Sequence, residues 1–316
     1  MIKEEQWQDT SVYTLTNDKL TISLCPSLNN NVYRIWDHTL QREVLRVPDS
    51  PQQLAEQPVQ FGTPILMPPN RIRKGRFQYE GVSYQFNTNP AQNNNHIHGL
   101  LRNLPWTVTN VYEGEGIASI TSTFDTSDYP DIVQQYPHSL KLDITYELIG
   151  STLTHKLAVT NNSSTKAPFG YGLHTWFLLD NEPQNWNLEL PVASIWELDA
   201  ELMPTGTLLP LDDYSELQNG MNLQGQNMDT VFQIGENPRL AVLKKDNCEL
   251  RYTTSEEFKH WVIYTKGQAD NFICLEPYTW VTNAPNVGLS EDITGLIGIE
   301  PGQTLELEVT LELIYT

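Results

Sequence analysis

Cysteine is scarce in this 316-residue chain. Cys25, Cys248 and Cys274 are the three present, and no two form a Cys-x-x-Cys pair. So sparse and odd a set argues against a disulfide framework or a zinc knuckle. Basic residues are also few. Nineteen Lys and Arg stand against 39 Asp and Glu, a formal net charge of -20. A surface of that sign repels nucleic acid and anionic membranes, so neither is expected as a partner. No apolar run is long enough to span a bilayer. The N-terminal stretch MIKEEQWQDT lacks the apolar centre of a secretory leader, and the expected compartment is the cytoplasm. Helical spacing is almost missing; residues 51–57 alone read as a short helix. There is no GxGxxG and no P-loop, so nothing signals nucleotide binding. No Gly/Ser linker, composition break or low-complexity run divides the chain, and residues 1–316 are read as one domain.

What the chain has in quantity is period-2 alternation. Leu305, Leu307, Val309, Leu311 and Leu313 alternate with Glu306, Glu308, Thr310 and Glu312. That is a strand with one buried and one wet face. Residues 140–160 read as a hairpin around Gly150, residues 77–86 as a hairpin around Glu80-Gly81, and residues 240–253 as a third around Asp246-Asn247. Strands also fit 12–24, 117–124, 261–265 and 272–276. Aromatics make up 10% of the chain, and its 20 prolines and 18 glycines punctuate it at short intervals. Many short strands between frequent turns predict an all-β fold, a large antiparallel β-sandwich.

Four stretches carry polar residues that a scaffold does not need. Asn70-Arg71-Ile72-Arg73-Lys74-Gly75-Arg76 concentrates four basic residues in an acidic chain; it reads either as a ligand contact or as a solvated turn. In Asn93-Asn94-Asn95-His96-Ile97-His98-Gly99, an extended backbone puts His96 and His98 on the same side. Two such histidines can bind a metal, but Leu100 to Asn103 supply no acidic third ligand and Arg102 repels a cation, so no metal is expected. Neutral imidazoles that hydrogen-bond hydroxyl groups are the alternative. His174 sits among aromatics and glycines in FGYGLHTWF, where a core histidine is the simpler reading; burial there leaves it neutral and able to take a proton. Glu276 ends the apolar run FICL. A carboxylate in that place needs a partner or a job, either an ion pair with a residue such as Arg71 or a role as a base.

Taken in order, these stretches resemble the aldose 1-epimerase (galactose mutarotase) family along most of the chain. Asn70-Arg71-Ile72 followed by Gly75 resembles the family's substrate-binding NRI-x-x-G. His98-Gly99 after an Asn-rich loop resembles its first histidine motif, and Gly172-Leu173-His174 its second. Pro204-Thr205-Gly206 resembles the PTG turn that follows. Asp229 falls where an aspartate contacts sugar hydroxyls, and Glu276 where the family keeps its catalytic glutamate. The frame FGYGLHTWF and the Leu100-Leu101-Arg102 that follows the first histidine depart from the usual pattern, which points to a divergent branch.

The resemblance implies the galactose mutarotase-like supersandwich and an isomerase that interconverts the α and β anomers of a free hexose such as galactose or glucose. It implies Glu276 as base toward the C1 hydroxyl and His174 as acid toward the ring oxygen O5. It further implies that Arg71, His98, Asp229 and Asn70 bind the sugar, with no cofactor. Tyr278 or Trp280 is the candidate to stack on the sugar ring. A monomer or a homodimer suits a small-molecule substrate of this kind. Three other readings compete. A hexose-6-phosphate mutarotase requires two or more of Arg73, Lys74, Arg76 and Arg102 to converge on the pocket. A non-catalytic carbohydrate-binding protein has no need of an acid–base pair. A glycoside hydrolase built on Glu276 and Asp229 leaves the histidines idle.

Overall fold

The computed structural model describes residues 1–267 and 271–315. Two large antiparallel sheets dominate. The first has nine strands in the order Thr107–Gly114, Ile117–Asp125, Leu140–Ile149, Thr152–Asn161, Thr304–Tyr315, Cys248–Thr254, Leu240–Lys245, Asn187–Glu189 and Met221–Asn222. Alternation does here what it predicts: Leu307, Val309, Leu311 and Leu313 are buried while Glu306 and Glu308 are exposed. The three expected hairpins form. The tight one between Arg76–Tyr79 and Val82–Gln85 turns at Glu80 and Gly81, with φ of 46° and 78°, the left-handed pair a two-residue hairpin loop requires.

The second sheet has eight strands: Pro204–Leu209, Ser194–Leu198, Asp229–Gln233, His260–Tyr264, Phe272–Tyr278, Gly172–Leu173 and Ile65–Leu66 in order, with Thr175–Leu178 also paired to Phe272–Tyr278. Its inner face packs on the nine-stranded sheet. Phe177, Ile263, Ile273 and Leu275 join one core with Leu142, Ile144 and Leu250, and Thr175 Oγ1 hydrogen-bonds Tyr252 Oη across the sandwich at 2.8 Å. The outer face carries a separate cluster of Trp176, Phe272 and Cys274 with Tyr264 against it. Phe272–Tyr278 is therefore buried at every position, because both faces are covered. An N-terminal five-stranded sheet is formed by Ile2–Trp7, Thr10–Thr16, Leu20–Cys25, Asn31–Asp37 and Arg42–Glu43; Val32 in its fourth strand bridges to Thr63, and Leu45, just past its fifth, bridges to Phe177 of the second sheet.

The expected short helix is Pro51–Glu56, and the Ser50 side chain accepts a hydrogen bond from the Gln53 N–H. Helices Pro130–Gln135 and Glu291–Thr294 also form; at six and four residues they are too short to leave a period in the sequence. Pro204-Thr205-Gly206, expected as a turn, instead opens the edge strand Pro204–Leu209. Among the described residues no helix is long and apolar enough to cross a membrane.

Candidate active site

Glu276 and His174 meet on the outer face of the eight-stranded sheet. The strand Thr175–Leu178 pairs with Phe272–Tyr278, Thr175 opposite Leu275, which sets His174 beside Glu276. Their closest approach is 3.3 Å, from His174 Nε2 to Glu276 Oε1. His174 is 7% exposed and Glu276 2%. The other carboxyl oxygen, Oε2, accepts a hydrogen bond from the Tyr278 hydroxyl. Burial pushes the Glu276 carboxyl up to about 8; the Tyr278 hydrogen bond lowers it, Asp229 raises it and Arg71 lowers it. Burial also holds His174 down at about 3. Between those limits the pair carries one proton, and it titrates as a unit.

A loop supplies the wall. Arg71–Ile72 pairs with His96–Ile97, Ile97 opposite Arg71, and the His98 N–H donates to the Asn70 carbonyl at 2.9 Å. The Asn283 N–H donates to the Arg71 carbonyl at 2.8 Å. Arg71 Nη1 donates to Asn70 Oδ1 at 3.0 Å, which fixes the guanidinium. The geometry differs from the extended one expected for residues 96–98. His98 has φ of 58°, a left-handed residue that breaks the alternation. His96 thus points away, buried with its Nδ1 2.8 Å from the Asn87 carbonyl, whereas His98 packs edge-on against the His174 ring. Burial and the neighbouring His174 and Arg71 hold His98 well below the ordinary imidazole range. The two histidines do not converge on a metal.

These walls enclose about 320 Å³. Asn70, Arg71, His98, His174, Asp229 and Glu276, the residues expected to act on or hydrogen-bond the sugar, all line the space. Asp229 begins its strand opposite Tyr264 and is exposed at the mouth. The expected stacking aromatics are not at the surface of the pocket. Trp280 is 1% exposed and packs over Gly170; Tyr278 is fully buried behind Glu276. Trp176, Tyr264 and Phe272 line the pocket instead, with Trp176 stacked on His174 at 5.0 Å between centroids. The signal for Trp176 was available: two positions from His174 on an extended strand, it shares the face. Arg46, Gln60, Gln92 and Lys266 also line the space, and nothing local in the sequence marks them.

The basic stretch after Arg71 leaves the site. Arg73 pairs with Asp199 and lies 3.7 Å from Glu201, Lys74 lies 3.4 Å from Glu201, and Arg76 bonds Gln85. None of Arg73, Lys74, Arg76 and Arg102 lines the pocket, so the convergence that a phosphate reading asked of them does not occur. His174, Cys274 and Glu276 do place donor atoms within 4.8 Å of one another. Burial keeps the Cys274 thiol protonated, well above its usual range, and Tyr278 already holds one oxygen of Glu276. A thiolate ligand is thus disfavoured, and the set is a buried carboxyl–imidazole contact with an apolar neighbour.

A supersandwich of antiparallel sheets with a buried carboxyl–imidazole pair on the outer face defines a galactose mutarotase-like protein. The chain belongs to the aldose 1-epimerase family, whose model matches residues 11–312. It is similar to the uncharacterized protein YihR of Escherichia coli K12, 29% identical over 55% of this chain and 54% of that one. It is similar also to the galactose mutarotase of Rattus norvegicus, 28% identical over 50% of this chain and 45% of that one. The chain thus spans about half the length of these curated relatives. Among solved structures, a galactose mutarotase-like protein from Clostridium acetobutylicum superposes with a TM-score of 0.95 at 26% identity, covering 100% of this chain and 99% of that one.

Proposed function

We propose that the protein is a mutarotase that opens and recloses the ring of a hexose such as galactose or glucose, and that residues 1–316 act as one domain in the cytoplasm. The observation that carries this reading is the 3.3 Å contact between Glu276 and His174 inside a polar pocket. Ring opening removes a proton from the C1 hydroxyl and delivers one to O5, which a pair holding a single proton can do without outside help.

In the resting pocket the proton sits on Glu276. Passing it to His174 yields carboxylate and imidazolium. Glu276 then takes the C1 hydroxyl proton as His174 protonates O5; the C1–O5 electrons go to O5, and C1 becomes the aldehyde carbon. That step returns the pair to its resting form. After rotation about C1–C2 the reverse transfers close the ring on the other anomer. Arg71 and His98 hydrogen-bond sugar oxygens and stabilise charge on O5, Asn70 holds Arg71, and Asp229 accepts from ring hydroxyls. A binding module has no use for a shared proton between two buried side chains, which favours catalysis over recognition alone.

Polarimetry of freshly dissolved α-D-galactose and α-D-glucose, with and without protein, tests this. Faster approach to the equilibrium rotation is expected. Unchanged rates with these and with every other aldose tried would overturn it.

A further inference from the structure

Three cations line the pocket of this acidic chain: Arg46, Arg71 and Lys266. Four arginines elsewhere find a carboxylate, whereas Arg76 bonds Gln85 and Arg239 donates to backbone carbonyls. Arg34 pairs with Glu43, Arg42 with Asp180, Arg73 with Asp199 and Arg251 with Glu249. Arg71 is tied to Asn70 and Gln92 and serves the sugar in the reading above. Arg46 is held differently. Its guanidinium lies over three rings, 4.8 Å from the centroid of Phe61, 5.0 Å from Trp176 and 5.4 Å from Phe272. Its backbone is pinned to the sheet by the Arg46 N–H to Trp176 carbonyl bond at 2.9 Å. Among the described residues it has no carboxylate within 4 Å, and neither does Lys266. An aromatic cradle fixes a guanidinium in place and leaves its N–H edge free to donate. Built into a pocket with no carboxylate within 4 Å among the described residues, that edge is set to receive an anion.

We infer that Arg46 and Lys266 form an anion subsite for the C6 substituent of the sugar, so that the preferred substrate is an aldose with an anionic group at that position: a carboxylate, a phosphate ester or a sulfate ester. This rests on the mutarotase reading, and the position follows from it. His174 protonates O5, and C6 hangs on C5, the carbon next to O5. The C6 substituent therefore falls on the His174 side of the sugar. There Trp176 stacks on His174, and Arg46 lies over the same indole. One ring thus separates the O5 acid from the guanidinium. The basic cluster after Arg71 takes no part.

Anomer exchange measured by NMR on the intact protein tests this with D-glucose, D-glucuronate, glucose 6-phosphate and glucose 6-sulfate. At least one anionic sugar is expected to exceed glucose in kcat/KM by about tenfold or more, mainly through KM. The three anions distinguish a planar carboxylate from a tetrahedral ester. Lys266→Gln, at an exposed position, and Arg46→Met, which keeps an uncharged side chain of similar length against the three rings, are each expected to reduce that preference by about tenfold. Exchange of glucose with no gain for any anion would overturn the subsite and leave the mutarotase standing. A preference that survives both substitutions would also overturn it. Exchange of none of the four would instead count against the mutarotase reading on which the subsite depends.

Discussion

An ionised carboxyl at the position of Glu276 costs several kcal/mol in a closed sheet, and that cost governs how the site responds to pH. With Glu276 pushed up to about 8 and His174 down at about 3, the pair holds its one proton across the neutral range. Above about pH 8 it loses that proton, and with it the acid. A pH profile of kcat/KM is therefore expected to be flat through neutrality and to fall above about 8; a fall centred near the ordinary histidine value would contradict the pairing. Glu276→Gln removes the proposed base and should lower the rate by about 10²-fold or more, checked by polarimetry. The same substitution has a stability signature of known sign. A carboxyl with a raised folded pKa contributes stability that is full below its unfolded value and is lost as pH rises through about 8. The Tm of Glu276→Gln relative to the wild type is thus expected to climb between about pH 5 and about pH 8. Glu276 was legible in the sequence because a carboxylate after FICL needs a reason to be there. His174 was less so, since a lone histidine among aromatics has a blander reading until its strand partner is known. Arg46 and Lys266 were not legible at all: their role depends on a fold that brings positions 46, 176, 266 and 272 to one mouth.

Two strands that need each other build the site. The segment Phe169-Gly170-Tyr171-Gly172 runs beside Tyr278-Thr279-Trp280 so closely that a Cβ on Gly170 would meet Trp280 Cδ2 at 2.2 Å, and one on Gly172 would meet Tyr278 Cδ1 at 2.3 Å. The alternating glycines are slots for the two large rings. Because Tyr278 in turn holds Glu276, the slot at Gly172 sets where the carboxyl sits. Gly172→Ala is expected to cost about 1–3 kcal/mol through overpacking and to lower kcat along with it, measured by denaturant unfolding and anomer exchange. Gly170→Ala, which displaces Trp280 instead, should cost similar stability with a smaller effect on kcat. Equal loss of rate in the two would remove Tyr278 from its positioning role. Strands with one wet face, such as Leu140–Ile149 and Thr304–Tyr315, could be read directly from alternation. Phe272–Tyr278 could be read as a strand but not assigned its faces, because both are covered and the pattern carries no contrast. This is why Tyr278 and Trp280 were expected against the sugar, whereas they fill the layer behind it and Trp176, Tyr264 and Phe272 face the pocket.

At the scale of the whole molecule, sequence and structure share one asymmetry, a net charge of -20 around a pocket mouth that carries Arg46 and Lys266. The two act over different ranges. The long-range field of the acidic surface opposes the approach of an anionic sugar, and salt screens it strongly; the contact with fixed guanidinium in a partly closed pocket is screened much less. A neutral sugar feels neither. Raising ionic strength from about 10 mM to about 150 mM shortens the screening length from about 30 Å to about 8 Å. Over that range kcat/KM for a C6-anionic aldose is expected to rise, because the repulsion on approach fades while the contact persists. For galactose or glucose it should stay constant. A steady decrease for the anionic sugar would instead mean that its binding is loose attraction to an exposed lysine, without the seated contact at Arg46. The measurement thus separates a built subsite from a patch of charge, and it can be made on the unmodified protein.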